Sequence, residues 1–560
     1  MRLIRGRIVA RGWTLRLTAV LLVTACARFP ASVAGAPPTA ASIEQRTIGT
    51  GPAPVLAESF DGLGIGFIGP QGRAVVRNPS DNSLAVGRDH IVQTVNSRLA
   101  IFTRAGTRFD GTGRVLYGPV PTNTLFHGAG GACAARNSGD AVARYDQLAE
   151  RWLVVMPVFQ RSVWHADDPP APPAGTVVLS RPVRQEQPGA AAPLYIPPPA
   201  NDTTLVRARA TRDSGAYAMC YAVSTSPDPM GTWYRYEFIR PLFPDYPRPA
   251  VWPDGWYIPT STGDDVIEKH ACVADRAKML RGEAATEQCV IIRDVNFLNN
   301  ADLDGTTLPP PGAPNIMLAA GGTQLRGVLR DSVLQMWTFR VDWNDPRNTR
   351  VEGPTNVPVV AYDYMCGGQL TRCVPQPGTD VRLDAQGDKL MARVVYRRIG
   401  NRETIVASHS VNVTQGIGGI RWYELLVTPA RGLRVVQQGT FAPDSTARWM
   451  ASPATDRWGN IGIGYSVGSA TVFPGQRFTG RRVQDLRGTL TLGETVLVEG
   501  GASQTSTLRW QDYTQTAIDP RDDCTIWYVG DYLQPGATAY TSRIGAFRLP
   551  KCTGAPLSAR

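Results

Sequence analysis

The sequence predicts an all-β fold, and three observations carry that prediction. The first is composition: 560 residues with 56 Gly, 45 Pro, 8% aromatic and 19% charged residues suit many short strands joined by tight turns better than long solvated helices. The second is a recurring unit in which a short strand ends in an Asp-, Gly- or Asn-rich turn and an apolar strand follows at once. The third is spacing, because these units recur at intervals of about 50 to 110 residues, each followed by one or two further strand-like runs.

Six copies of the unit are clear: "LAVGRDHIVQTV", "ARYDQLAERWLVVMP", "AVWPDGWYIPT", "RLDAQGDKLMARVVY", "PATDRWGNIGIGYS" and "AIDPRDDCTIWYV". Their turn residues tolerate the backbone angles that a tight reversal demands. A seventh, weaker copy joins "APNIMLAAGG" to "SVLQMWTFRVDW". Four strands per unit predict a β-propeller of seven four-stranded blades around a channel. The last unit offers three strands, so a strand near "LAESFDGLG" is expected to complete it and close the ring. The competing architecture is a pair of β-sandwich domains.

Residues 54–552 are accordingly expected to form one domain, with a Pro-rich loop insertion at about 158–213 ("DDPPAPPAGT", "IPPPAND") and a C-terminal tail at 553–560. Ahead of it, Arg2, Arg5, Arg7, Arg11 and Arg16 precede the apolar run "LTAVLLVTA", which is too short to span a bilayer and reads as a signal peptide over residues 1–25. Val23-Thr24-Ala25-Cys26 resembles a bacterial lipobox, which makes Cys26 the expected lipidation site; cleavage after Ala34-Gly35-Ala36 is the alternative. Residues 26–53 are Pro/Ala/Ser/Thr-rich and are expected to be a flexible tether. The expectation is an exported protein, in the bacterial cell envelope or secreted, that meets the membrane through an N-terminal lipid anchor alone.

Loss of those five arginines takes the formal charge from +11 to +6. The surplus is scattered, which argues against a nucleic-acid partner. Beyond Cys26 an even set of eight cysteines remains, as expected of disulfides in an exported chain. Short-range pairing suggests Cys366 with Cys373, Cys272 with Cys289 and Cys524 with Cys552; Cys133 and Cys220 are the other candidates. No CxxC spacing points to structural zinc.

The stretches "DNSLAVGRDHIVQTVNSRLAIF", "CYAVSTSPDPMGTWYRYEF", "FPDYPRPAVWPDGWY", "QQGTFAPDSTARWMAS" and "DDCTIWYVGDY" resemble an uncharacterised family of exported bacterial β-propeller-like proteins, also called sialidase-like or BNR-like. The resemblance runs from about residue 55 to 552 and implies the propeller fold, without any catalytic residue to carry over. A sialidase Asp-box reads S-x-D-x-G-x-x-W, and "SPATDRWGN" at 452–460 misses that spacing. "YRRIG" at 396–400 is a distant echo of the arginine motif of such enzymes and lies too late in the chain.

In a propeller the first strand of each blade begins at one mouth of the channel. Strand starts therefore nominate Asp81 with Asn82, Asp140, Asp245, Asn315, Asp380, Arg448, Trp449, Arg509, Trp510, Asp512 and Tyr513 as ligand-binding candidates. Asp81, Asp140, Asp245 and Asp512 could hold Ca²⁺, a cation that takes several oxygen ligands. Two of the carboxylates could instead serve as acid and nucleophile or base on a glycosidic bond, with arginines holding an anionic sugar. Equally, Asp and Asn begin strands well, and water-filled mouths are polar in any case. Within "RWQDYTQTAIDPRDDCTIWY", Arg509 to Tyr513 fall at the mouth, whereas Asp519, Asp522 and Asp523 fall in the turn at the far end of the strand.

The histidines show no HExxH spacing, there is no G-x-S-x-G elbow, and "NNADLDGTTLPPPGAP" lacks the later glutamate of an EF-hand. The expected function is binding of a polymer, either a polysaccharide or an envelope protein, at the channel mouth. A glycoside hydrolase or lyase acting on acidic polysaccharide is the alternative.

Overall fold

Strand-forming runs here are short because turns rich in Asp, Gly or Asn interrupt them. The computed structural model describes residues 41–552 apart from 76, 160–174, 176, 181, 186–190, 199–216, 241, 262–267, 296, 321–331, 369–370 and 415. The 1–25 segment, Cys26, His165, the 553–560 tail and much of the 158–213 insertion lie outside the described residues.

The protein is all-β, and among the described residues most strands can be followed as seven successive antiparallel groups with four strands each at their centre; the fourth and fifth share one nine-stranded sheet, further strands widen the second and third, and two small two-stranded hairpins stand apart. The first comprises Ser83–Val86, His90–Val95, Arg98–Thr103 and Val115–Pro121. Six more begin with first strands Val142–Asp146, Ala250–Trp252, Asn299–Leu303, Val394–Ile399, Ala447–Thr455 and Gln515–Ile518. The seventh group takes its fourth strand from the other end of the chain: Val55–Gly64, which contains "LAESFDGLG", pairs antiparallel with Thr541–Arg548. First strands of consecutive groups lie side by side, and that of the seventh lies against that of the first. The fourth and fifth even hydrogen-bond in parallel, Ala301–Leu303 with Val394–Tyr396.

Apolar faces meet between groups. Leu84, Val86 and Phe102 of the first group pack against Trp527, Val529 and Ile544 of the seventh, and Val406, Ile420 and Trp422 of the fifth against Ile461, Ile463 and Tyr465 of the sixth. A first strand flanked on both faces in this way is buried along its length, as in Ser83–Val86 and Ala447–Thr455.

The turn aspartates explain the repeat. Asp146 accepts the N–H groups of Leu148 at 3.0 Å and Ala149 at 3.2 Å, fixing its own turn, and its other oxygen takes Trp256 Nε1 of the third group at 2.9 Å. Asp519 likewise accepts the Arg521 N–H at 2.8 Å and Trp527 Nε1 at 3.1 Å, and pairs with Arg104 of the first group. One carboxylate thus makes a turn and ties its group to a neighbour.

Five of the six clear sequence copies are first-to-second-strand hairpins. "RLDAQGDKLMARVVY" is not: Leu383 ends a separate small hairpin with Val374, and the fifth group's first hairpin turns at 400–401 after Ile399. The weaker copy supplies the second and third strands of the fourth group, Asn315–Ala319 and Val333–Arg340, whose first strand is Asn299–Leu303. The expected tether to residue 53 ends sooner, since Glu44–Gln45 pairs with Thr440–Phe441 and Gly51 bridges to Leu492. The Pro-rich insertion is not loop throughout: Val177–Ser180 extends the third group, and Pro182–Gln185 and Ala192–Pro193 extend the second.

Four disulfides join Cys133–Cys220, Cys272–Cys289, Cys366–Cys373 and Cys524–Cys552, so the three short-range pairs expected are formed. Four such bonds fit an oxidising compartment. Among the described residues no helix is long and apolar enough to cross a membrane.

Where first strands converge, charges are buried in pairs. Arg393 donates from Nε to Asp302 at 2.6 Å and from Nη2 to Asp304 at 2.5 Å, and its Nη1 reaches the Thr516 carbonyl at 3.2 Å. Arg144 lies 3.5 Å from Asp302 and donates to the Pro249 carbonyl at 2.8 Å. Burial alone would lower the Arg393 pKa, but Asp304 and Asp302 outweigh it and raise it. Removing one member leaves the other charge buried without compensation, so Arg393→Met is expected to destabilise the fold by about 3–5 kcal/mol. The measurement is the urea midpoint; a change under about 1 kcal/mol would show that the pair is dispensable.

At the junction of the seventh and first groups, Asn82 Nδ2 donates to Asp531, and Gln93 links the Leu63 N–H at 2.8 Å to Ser542 Oγ at 2.8 Å. Burial pushes the Asp531 carboxyl up to about 7, against the opposing bonds from Ser80 and Asn82. Because the folded pKa lies above the unfolded one, the folded state holds a proton that the unfolded chain releases. Stability is therefore lost as pH rises from about 4 to about 7. Asp531→Asn is expected to flatten that slope and to raise the thermal midpoint at pH 8, a comparison that thermal melts across the range check directly.

Candidate ligand-binding site

A residue with positive φ stands in or ahead of every first strand: Asp81 (48°), Asp140 (53°), Tyr246 (53°), Phe297 (40°), Gln386 (47°), Met450 (52°) and Asp512 (66°). For residues other than glycine this left-handed region is costly, and Asp tolerates it best. The repeated kink brings the chain into each strand from one end, and there side chains from distant parts of the sequence meet.

Three acids form the heart of the meeting. Asp81, 2% exposed, accepts Asn96 Nδ2 at 2.6 Å. Burial, then the charges of Asp140 and Asp512, raise its pKa well above the usual carboxylate range. Asp140 accepts the Tyr513 hydroxyl at 3.0 Å. Asp512 is held by Arg509, with Nε at 3.3 Å, and by Gln386 Nε2 at 2.9 Å. Burial raises the Asp512 pKa, with Arg509 opposing.

The aromatic and basic neighbours come from other groups. The Tyr246 hydroxyl donates to the Asp512 carbonyl at 2.5 Å, and the Tyr246 ring lies 4.1 Å from that of Tyr513, tilted by 30°. Lys389 bonds Gln386 and places its ammonium 3.7 Å from the Phe297 ring centre and 4.8 Å from that of Tyr246. Burial lowers its pKa, while Asp388 opposes. The Arg248 guanidinium lies over Tyr246 at 4.6 Å and Phe297 at 5.4 Å. Arg248 is 3% exposed, yet Nε, Nη1 and Nη2 all lack a hydrogen-bond partner. Burial brings its pKa down to about 10, so it remains charged at neutral pH. Asp140, Asp245 and Arg509 are only half-buried and form the rim.

Of the sequence candidates, Asp81, Asp140, Arg509, Asp512 and Tyr513 come together here. Asp245 adjoins Tyr246, accepting its N–H at 2.9 Å, and Trp510 lies just beneath, donating to Ser466 at 3.1 Å. Asn82 turns to the Asp531 junction. The others do not join. Asn315 starts a second strand, bonded to Asn300 and the Ala301 carbonyl at 2.8 Å each, because the first strand of its group lies upstream. Asp380 is exposed on the small hairpin. Arg448 turns away to Asp444 and Glu494, at 2.8 Å each, and Trp449 is buried in apolar packing with Trp510. His127, exposed, stacks on Tyr195 at 3.6 Å, away from these groups.

Arg248, Tyr246, Phe297, Gln386 and Lys389 went unread in the sequence. The first two stand in "FPDYPRPAVW", a few residues ahead of the strand start, and Gln386 and Lys389 fall in the misassigned hairpin. The Ca²⁺ expectation does not fit. Among the described residues the one set of three His, Cys, Asp or Glu ligand atoms within 4.8 Å of each other is Cys272, Glu287 and Cys289, whose cysteines are bonded together. Asp81, Asp140, Asp245 and Asp512 form no such set, and three basic side chains stand among them.

No family model matches the chain, and no curated protein matches it. Among solved structures it is similar to the intramolecular trans-sialidase of Ruminococcus gnavus in complex with oseltamivir carboxylate, at 9% identity over 75% of this chain and 96% of that one, TM-score 0.35. It is also similar to an ulvan lyase of polysaccharide lyase family PL25 bound to -[GlcA(1-4)Rha3S]-, at 11% identity over 86% and 95%, TM-score 0.34. A third is a protein of unknown function from Dyadobacter fermentans, at 10% identity over 89% and 100%, TM-score 0.23. Likenesses this low carry no argument about fold or chemistry.

A buried cation without acceptors is a cost to folding. Arg248→Met keeps the stem over Tyr246 and removes the charge, and is expected to raise stability by about 1–3 kcal/mol. Chemical denaturation measures it; a marked loss of stability would mean that the guanidinium is satisfied in solution.

Proposed function

We propose that the seven groups are the blades of a β-propeller closed by the 55–64 strand, and that the protein binds an acidic polymer, a polysaccharide bearing carboxylate or sulfate groups, at one mouth of its channel. Support for the architecture comes from the side-by-side first strands, the contact of seventh with first, and the cores between neighbouring groups. Export with a lipid anchor at Cys26 belongs to the same reading, supported by the signal-like 1–25 segment of the sequence and by four disulfides that fit an oxidising compartment.

The observation that carries the binding reading is the Arg248 guanidinium, buried and lacking acceptors among groups that converge from separate blades. Its planar fork matches a two-oxygen anion. Lys389 and Arg509 add positive charge, the raised pKa of Asp81 lessens the repulsion its carboxylate would offer, and the Tyr246 and Phe297 rings hold the Arg248 guanidinium in place.

Titration calorimetry with polygalacturonate, dextran sulfate and neutral dextran tests the reading. Binding of at least one polyanion and not of dextran is expected, weakened about tenfold or more by Arg248→Met, equivalent to about 1.4 kcal/mol. Equal binding of neutral dextran, or polyanion binding indifferent to Arg248→Met, would overturn it.

A further inference from the structure

Beside the mouth, a surface groove runs between the small hairpin Val374–Gln376/Thr379–Leu383 and the 505–508 segment, lined among others by Arg372, Asp380, Arg382 and Thr505. Arg372, Asp380 and Arg382 are exposed, and neither guanidinium has an ion pair or hydrogen bond among the described residues.

The groove is built and rigid. Gln376 Nε2 donates to the Gln504 carbonyl at 2.9 Å, and the Gln504 N–H returns the bond to Gln376 Oε1 at 2.7 Å. Ser503 Oγ donates to the Pro377 carbonyl at 2.7 Å, and the Cys366–Cys373 disulfide fixes the hairpin's approach. Its walls continue into the mouth: Gln504 Nε2 donates to the Arg509 carbonyl at 2.6 Å, and the Asp384 N–H to the Leu508 carbonyl at 2.8 Å. Two uncommitted guanidiniums on fixed walls that lead to Arg509 offer a track for a second acidic unit of one ligand.

We infer that this groove is an outer subsite for the polymer, in which Arg372 and Arg382 pair with anionic groups of sugar units next to the unit held at the mouth, and Asp380 accepts bonds from their hydroxyls. The inference rests on the mouth reading and adds to it that the ligand is recognised over several units, so affinity depends on chain length. Carboxylate and sulfate share the chemistry that recognises them.

The test is calorimetry on the whole protein with galacturonate and its trimer and hexamer, and in parallel with a chondroitin sulfate disaccharide and hexasaccharide. At least one series is expected to gain about tenfold or more in affinity from shortest to longest. Arg372→Glu with Arg382→Glu is expected to erase that gain. Arg347→Glu, on the exposed 3₁₀ turn Pro346–Asn348, reverses one positive charge elsewhere and is expected to keep it. The series that responds identifies the anionic group. Equal affinity at all lengths, or a gain that survives the double variant, would overturn the groove while leaving the mouth reading intact. Absence of binding in both series would overturn both.

Discussion

The pairing of Arg393 with Asp302 and Asp304 is the constraint on which the rest of the structure depends. It sits where first strands from separate groups crowd together, with Arg144 beside it and the Thr516 carbonyl as a further acceptor. Apolar packing between groups is plastic, since any two sheet faces of suitable size bury about the same area. A buried ion pair is not, because its desolvation is repaid only at good geometry. Fixing residue 393 against 302 and 304 sets how far the fourth and fifth first strands slide past each other, and their parallel ladder follows. Strand position in turn fixes where each strand begins, and so what stands at the mouth.

At the mouth the same physics runs the other way. Where the first strands converge, charges are paired within the protein. The candidate site leaves one large cation, Arg248, without acceptors and raises the pKa of one acid, Asp81, through burial and the nearby charges of Asp140 and Asp512. Both choices work against folding, through desolvation in the first case and through displaced proton affinity in the second. Binding sites are where proteins tolerate such costs, because a complementary ligand removes them.

Much of the fold was legible in the sequence because the turn carboxylates are local. Asp146, Asp456 and Asp519 each accept N–H groups within a few residues of themselves, so the signal is written in consecutive letters. The closing strand was legible by arithmetic, as the seventh unit was one strand short. "RLDAQGDKLMARVVY" misled because Asp384 and Asp388 imitate turn residues, whereas they approach the mouth from a loop. The site was half legible. Acids that kink a strand start, such as Asp81, Asp140 and Asp512, mark themselves by type and place. Arg248 and Lys389 do not, since the property that singles them out is burial among rings contributed from elsewhere in the chain, which no local pattern encodes.

The stretch from Arg509 to Tyr528 shows why the two ends of a first strand are separate in chemistry and still linked in mechanics. Its first residues hold Asp512 and Tyr513 at the mouth, and its last hold Asp519 and Asp522 in the turn, with Gln515–Ile518 between them. In the short span between, Gln515 bonds the Leu84 carbonyl at 2.5 Å and Ser83 at 2.8 Å, and Thr516 bonds Ser452 at 3.0 Å. A strand so short, pinned on both sides by side-chain bonds to the adjoining first strands, has little freedom to slide. Asp519 with Arg104 at the turn and Tyr513 with Asp140 at the other end are therefore held at a fixed spacing, each contact positioned by the same anchored strand.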